Sequence, residues 1–122
     1  MTLVLDTSVL VDILRGAPAA VTYARELTER ICSEVTRVEV IHGLRSRERR
    51  GAELMFAEIG WIPVDEEIAR RAGELGRRYR RTHPGIGVSD LIIAATAQFV
   101  GMELATANTK HFPMFKSLRP PY

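Results

Sequence analysis

A chain of 122 residues fits one domain, and 46% hydrophobic against 26% charged residues excludes an intrinsically disordered protein. The most apolar window, Leu91 to Val100, is about half the ~20 residues needed to cross a bilayer, and only three apolar residues precede Asp6. This excludes a membrane span and predicts a soluble, cytoplasmic protein.

The net charge is only +2, but fifteen of the seventeen cations are arginine, with Lys110 and Lys116 the only lysines. Arginine suits phosphate through its planar, bidentate fork. GC-rich coding favours the same residue, so the bias alone does not establish a nucleic-acid partner.

Along the chain, Leu3-Val4-Leu5 is an apolar run without polar alternation, which predicts a strand buried on both faces and ending at Asp6. A second such run, Ile31 to Ser33, carries the sole cysteine, Cys32. It is expected as a buried core thiol in a reducing compartment, with no internal disulfide. Trp61 to Val64 reads as a third strand. Residues 66–82 follow as a helix, with Ile68, Ala72, Leu75 and Tyr79 on one stripe, Asp65 as its N-cap, and Glu66 and Glu67 favoured by the dipole in its first turn.

The helix from Ser89 to Val100 is apolar almost all round, so it must be covered on most sides, and Gly101 stops it. A strand at Glu103 to Thr106 follows, and a weak one closes the chain near Leu118. Strands alternating with helices predict an α/β fold: one domain over residues 1–122, three layers (α/β/α), a central parallel sheet and right-handed crossovers.

In such sheets ligands bind beyond the carboxyl ends of the strands. Asp6 ends the first strand, Glu39 lies early in the helix after the second, and Asn108 lies just past the strand ending at Thr106. Asp90 opens the helix that leads into that strand, so it too is placed at this edge. Clustered carboxylates raise one another's pKa unless a divalent cation holds them ionised. Oxygen ligands without paired histidines select Mg2+, or Mn2+, over zinc: His42, His83 and His111 show no ligand spacing.

Each residue also has a purely structural explanation. Asp90 complements a helix dipole, Asp6 and Asn108 start turns, and Thr36 with Glu39 matches a capping box. Thr7 and Ser8 are placed to orient Asp6 or its water, and Thr106 to touch Asn108 or a phosphate, although turn formation explains these residues too. Arg45, Arg47, Arg49 and Arg50 form one cationic group. In the other, Arg70, Arg77 and Arg81 fall opposite the apolar stripe, on a solvated face. Arg71 and Arg78 flank the stripe and are the better candidates for contact with a phosphate backbone such as that of a nucleic acid.

Four segments, Val4 to Gly16, Thr36 to Gly43, Val88 to Ala97 and Leu104 to Phe112, together resemble the PIN-domain nucleases, and within them the VapC toxins. The likeness covers essentially the whole chain. It implies that Asp6 and Asp90 bind the catalytic metal, that Glu39 completes the site, and that Asn108 stands beside them. Many members carry a further acid near the last segment, where this sequence has Asn108 and His111.

The implied activity is hydrolysis of RNA phosphodiester bonds by a metal-activated water, leaving 5′-phosphate and 3′-hydroxyl ends. The implied partner is a VapB-like antitoxin that suppresses it. A homodimer is also expected, because a two-fold pair would extend a short basic track. Two other readings remain open. One is a catalytically weak PIN-fold module that only binds a partner protein. The other is a phospho-acceptor domain with Asp6 phosphorylated, for which a second nearby acid and a strand-end lysine are missing.

Overall fold

A computed structural model of the chain describes residues 2–122. Its strands are β1 (Thr2–Leu5), β2 (Glu29–Ser33), β3 (Gly60–Ile62) and β4 (Leu104–Ala105). They form one sheet in the order β3-β2-β1-β4 with every pair parallel, Val4 lying opposite both Ile31 and Leu104. The helices are α1 (Thr7–Leu14), α2 (Pro18–Arg25), α3 (Glu34–Gly43), α4 (Arg49–Phe56), α5 (Glu66–Tyr79) and α6 (Val88–Val100).

Alternation along β1 explains the layers, because successive side chains of a strand point to opposite faces. Leu3 and Leu5, with Cys32, pack against Val9, Leu10, Ala52 and Phe56 from α1 and α4. Val4 turns the other way and joins Ile93, Ala94 and Ala97 of α6, together with Phe112. A third cluster, Ile68, Ala72 and Ala95, fastens α5 to α6. The two helices approach closely at Gly76, where an added Cβ would come within 3.0 Å of Leu91 Cδ1. The fold is thus the expected three-layered α/β/α arrangement around a parallel sheet.

Local chemistry fixes the helix ends. The Asp65 carboxylate accepts the Ile68 N–H at 2.9 Å and caps α5. Replacing Asp65 with alanine is expected to cost about 1 kcal/mol of stability, measurable by urea unfolding. Gly101 ends α6 in the left-handed region at φ +69°. Ser33, not Thr36, caps α3, its hydroxyl accepting the Val35 N–H at 3.2 Å. The capping-box reading of Glu39 therefore falls, and its carboxylate is free for other work. Cys32 is a fully buried free thiol, and burial pushes its pKa up to about 12.

Two expectations need correction. The third strand is Gly60–Ile62 instead of Trp61 to Val64, because Pro63 has no N–H to continue the ladder. No strand forms near Leu118: the chain runs in turns there, with Ser117 at φ +62° and Pro113, Pro120 and Pro121 lacking donors. The segment is tied down by side chains instead. Phe112 is buried, Met114, Phe115 and Leu118 pack beside it, and the Tyr122 hydroxyl donates to Asp12. Among the described residues no helix is long and apolar enough to cross a membrane.

Candidate active site

Asp6 leaves the end of β1 and opens α1 through its backbone, its carbonyl accepting the Val9 N–H at 3.0 Å. Its side chain plays no capping role and is only 3% exposed as a residue. Two hydroxyls donate to Oδ2: Ser8 at 2.8 Å and Thr106, from the end of β4, at 2.6 Å. The same two hydroxyls accept backbone N–H groups, Ser8 from Ala107 and Thr106 from Asn108. The loops after β1 and β4 are thereby stitched together around one carboxylate. Among the described residues no hydrogen-bond donor reaches Asp6 Oδ1.

Glu39, in the second turn of α3, is held at both oxygens. Thr7 of α1 donates to Oε1 at 2.6 Å, and Ser89 of α6 donates to Oε2 at 3.0 Å. Thr36 Oγ1 lies 3.1 Å from Thr7 Oγ1, behind this contact. Three helices thus converge on one carboxylate. Thr7, expected to orient Asp6, serves Glu39 instead, whereas Ser8 and Thr106 both reach Asp6. Ser89 was not foreseen, and the only signal for it was a hydroxyl residue directly before an acid at a helix start.

Asp90 lies in the first turn of α6, where its Oδ2 accepts the Gly87 N–H at 3.3 Å. The contribution to the helix end and the place at the sheet edge therefore coexist in one residue. His111 Nδ1 is 3.2 Å from the same oxygen. Burial pushes the Asp90 carboxyl above its ordinary pKa; the Gly87 N–H and the His111 side chain pull it back, while the charges of Asp6 and Glu39 raise it further. The charges of Asp6 and Glu39 are thus both felt at Asp90, and a histidine, His111, stands beside it.

Asn108 is exposed at the rim. Its carbonyl accepts the His111 N–H at 3.0 Å, and its N–H goes to Thr106, so it shapes the loop through its backbone. Among the described residues no hydrogen bond joins its side chain to the acids. Arg71 and Arg78 are exposed on α5 and border an open hollow of about 460 Å³ shared with Glu74 and Arg77. Neither arginine contacts the acids. Arg70 pairs with Glu66 at 3.0 Å on the solvated face.

Among the described residues no three His, Cys, Asp or Glu side chains converge closely enough to enclose a metal by themselves. The donor set is still one of hard oxygens, with the charges of Asp6 and Glu39 acting on Asp90 and one Asp6 oxygen outside the hydroxyl pair. That suits a cation which keeps several waters, as magnesium does, and argues against a closed protein cage.

The comparisons with known proteins agree with this architecture. Residues 3–116 match the PIN domain family. The chain is 46% identical to Ribonuclease VapC19 of Mycobacterium tuberculosis over 97% of its own length and 98% of that protein. It is 44% identical to Ribonuclease VapC10 of the same organism, over 98% of this chain and 92% of that one. Among solved structures, a toxin-antitoxin complex from Klebsiella pneumoniae matches with a TM-score of 0.84 and 27% identity, covering 98% of both chains. The chain therefore belongs to the PIN domain family, in its branch of VapC ribonucleases.

Proposed function

We propose that the protein is a magnesium-dependent ribonuclease that acts in the cytoplasm as the toxin of a VapBC-type pair, manganese being able to replace magnesium. What supports this reading most is that the charges of Asp6 and Glu39, carried by two other elements, both act on Asp90 at the start of α6. Asp6 is buried and Glu39 and Asp90 are half-buried, so like charges that act on one another there are unfavourable unless a cation offsets them.

Asp6, Asp90 and Glu39 would hold the ion, in part through its waters. When bound, it would activate a water and neutralise charge on the phosphodiester as the pentavalent state forms. The chain's own groups prepare the site for this. Ser8 and Thr106 occupy Asp6 Oδ2 and so leave Oδ1 as the oxygen for a cation. Thr7 and Ser89 fix both oxygens of Glu39, so that its rotamer is set before substrate arrives. His111 stands beside Asp90 at the rim with Asn108, where a phosphate would enter. The family resemblance implies products with 5′-phosphate and 3′-hydroxyl ends.

The VapC relatives are named as ribonucleases, and the Klebsiella structure is a complex of toxin and antitoxin. An antitoxin partner for this chain follows by analogy. Exposed apolar residues support a protein partner: Val38 and Ile41 lie three apart on α3, and Leu54 is exposed on α4. A homodimer would use such surface as well. Expressed alone, the chain is expected to slow bacterial growth, and co-expression with the neighbouring open reading frame to restore it. Normal growth alone, with no binding between the two products, would favour the inactive protein-binding module.

A further inference from the structure

We propose that a small cavity between α5, α6 and the loop joining them binds one unpaired base of the RNA strand, beside the phosphate being cut. The proposal rests on the ribonuclease reading above and adds a specificity pocket to it. The cavity is about 190 Å³ and is lined by Tyr79, Arg80, His83, Pro84, Ile86 and Leu91. That is below the roughly 300–1,000 Å³ of sites for drug-sized ligands, so its occupant is a fragment such as one planar heterocycle.

The lining has the chemistry for a base. Tyr79 and His83 present aromatic rings at 5.7 Å between centroids, inclined at 72°. Single-stranded RNA is read by stacking unpaired bases on such rings and on arginine planes. Arg80 adds a cation on the wall, and the Arg78 guanidinium lies 5.8 Å from the Tyr79 ring centre. Arg80 and Arg81 form no ion pair among the described residues, so their charge is available to a phosphate backbone.

The backbone that carries the two rings is held in place. The His83 N–H donates to the Tyr79 carbonyl at 2.7 Å, the Ile86 N–H donates to the His83 carbonyl at 3.2 Å, and Thr82 Oγ1 lies 2.9 Å from His83 Nδ1. Binding would therefore not have to order the turn itself.

Position completes the argument. Leu91 directly follows Asp90, and Ile86 directly precedes Gly87, whose N–H holds the Asp90 carboxylate. Cavity and acid share the start of α6. Leu91 and Asp90 are neighbours on a helix and face different ways, so the strand would pass round the start of α6, its phosphate at the acids and a flanking base in the cavity.

The test measures binding apart from cleavage. Fluorescein-labelled oligouridylate and oligoadenylate are titrated by anisotropy with wild type, His83→Ala, Tyr79→Leu and Tyr79→Phe, in EDTA and low salt. His83→Ala and Tyr79→Leu are expected to weaken binding about tenfold, and Tyr79→Phe, which keeps the ring, to bind as wild type does. His83 is exposed on a loop, so its replacement leaves the fold intact and keeps the test open if Tyr79→Leu proves unstable. Unchanged affinity in His83→Ala and Tyr79→Leu overturns the pocket while leaving the ribonuclease reading in place. So does an equal loss with inorganic polyphosphate, which would report charge and not a base. Wild type that binds neither oligomer overturns the pocket as well, and if it also cuts no RNA in magnesium, the reading beneath falls with it.

Discussion

Asp90→Asn is expected to reduce RNA cleavage by about a thousandfold or more while the folded structure persists. The substitution preserves shape and leaves an oxygen to accept the Gly87 N–H, but it removes one of the negative charges that would hold the cation. The sign of the accompanying stability change follows from the raised pKa of Asp90. Burial foremost, and the charges of Asp6 and Glu39, make the folded chain hold this proton more tightly than the unfolded chain does. Stability without metal therefore falls as pH rises through the ordinary carboxylate range toward the folded pKa, and the cost is fully present at neutral pH. Asparagine removes that cost, although it also removes the charge facing His111. Unfolding in EDTA at pH 7 is expected to show a midpoint equal to or above that of wild type. Wild-type cleavage by this variant would contradict the role given to Asp90.

The largest loss of stability is expected at Phe112→Ala. Phe112 is 1% exposed, joins Val4 and α6 in the core, and packs against Phe115 at 6.4 Å between ring centres. Removing a buried phenyl ring costs about 3–5 kcal/mol through lost transfer energy and the cavity left behind. Against a total of roughly 5–15 kcal/mol this is a large share, and the melting temperature should drop on the order of 10–20 °C. The residue also directly follows His111, and its N–H donates to the Thr109 carbonyl at 3.1 Å, so the loop beside Asp90 would loosen with it. Urea unfolding that shifts by less than about 1 kcal/mol would show that the ring is not a core anchor.

The sequence made the architecture legible where its signals are periodic or strongly compositional. Leu3-Val4-Leu5 announced a doubly buried strand, and the structure divides it between two core clusters. The stripe on α5 and its Asp65 cap were readable for the same reason. Helices α2 and α4 were not singled out, since α2 is only eight residues and buries only small side chains, Ala20 and Ala24, while α4 hides its apolar face in an arginine-rich segment. The expected strand near Leu118 failed because its apolar residues serve side-chain packing in a proline-interrupted turn.

At the site, strand ends and helix starts are enough to nominate Asp6, Glu39, Asp90 and Asn108 for one edge of the sheet. The hydrogen-bond pairing between elements was not legible. That Thr7 serves Glu39 while Ser8 serves Asp6 depends on a helix phase of one residue, and the Ser89 contact joins positions 50 residues apart. His111 stood out only as a departure from an acid, and its contact with Asp90 depends on the 3₁₀ turn at Thr109–His111.

The carboxylates of Asp6, Glu39 and Asp90 are expected to support metal-dependent hydrolysis of RNA. The most direct test incubates the purified chain, dialysed against EDTA, with a pool of single-stranded RNA, then adds magnesium, with Asp6→Asn purified in parallel as the control for contaminating nuclease. The account predicts no cleavage in EDTA, cleavage to 5′-phosphate ends once magnesium is added, and none by Asp6→Asn in either condition. Cleavage that persists in EDTA, or that Asp6→Asn carries out at the wild-type rate, would contradict it.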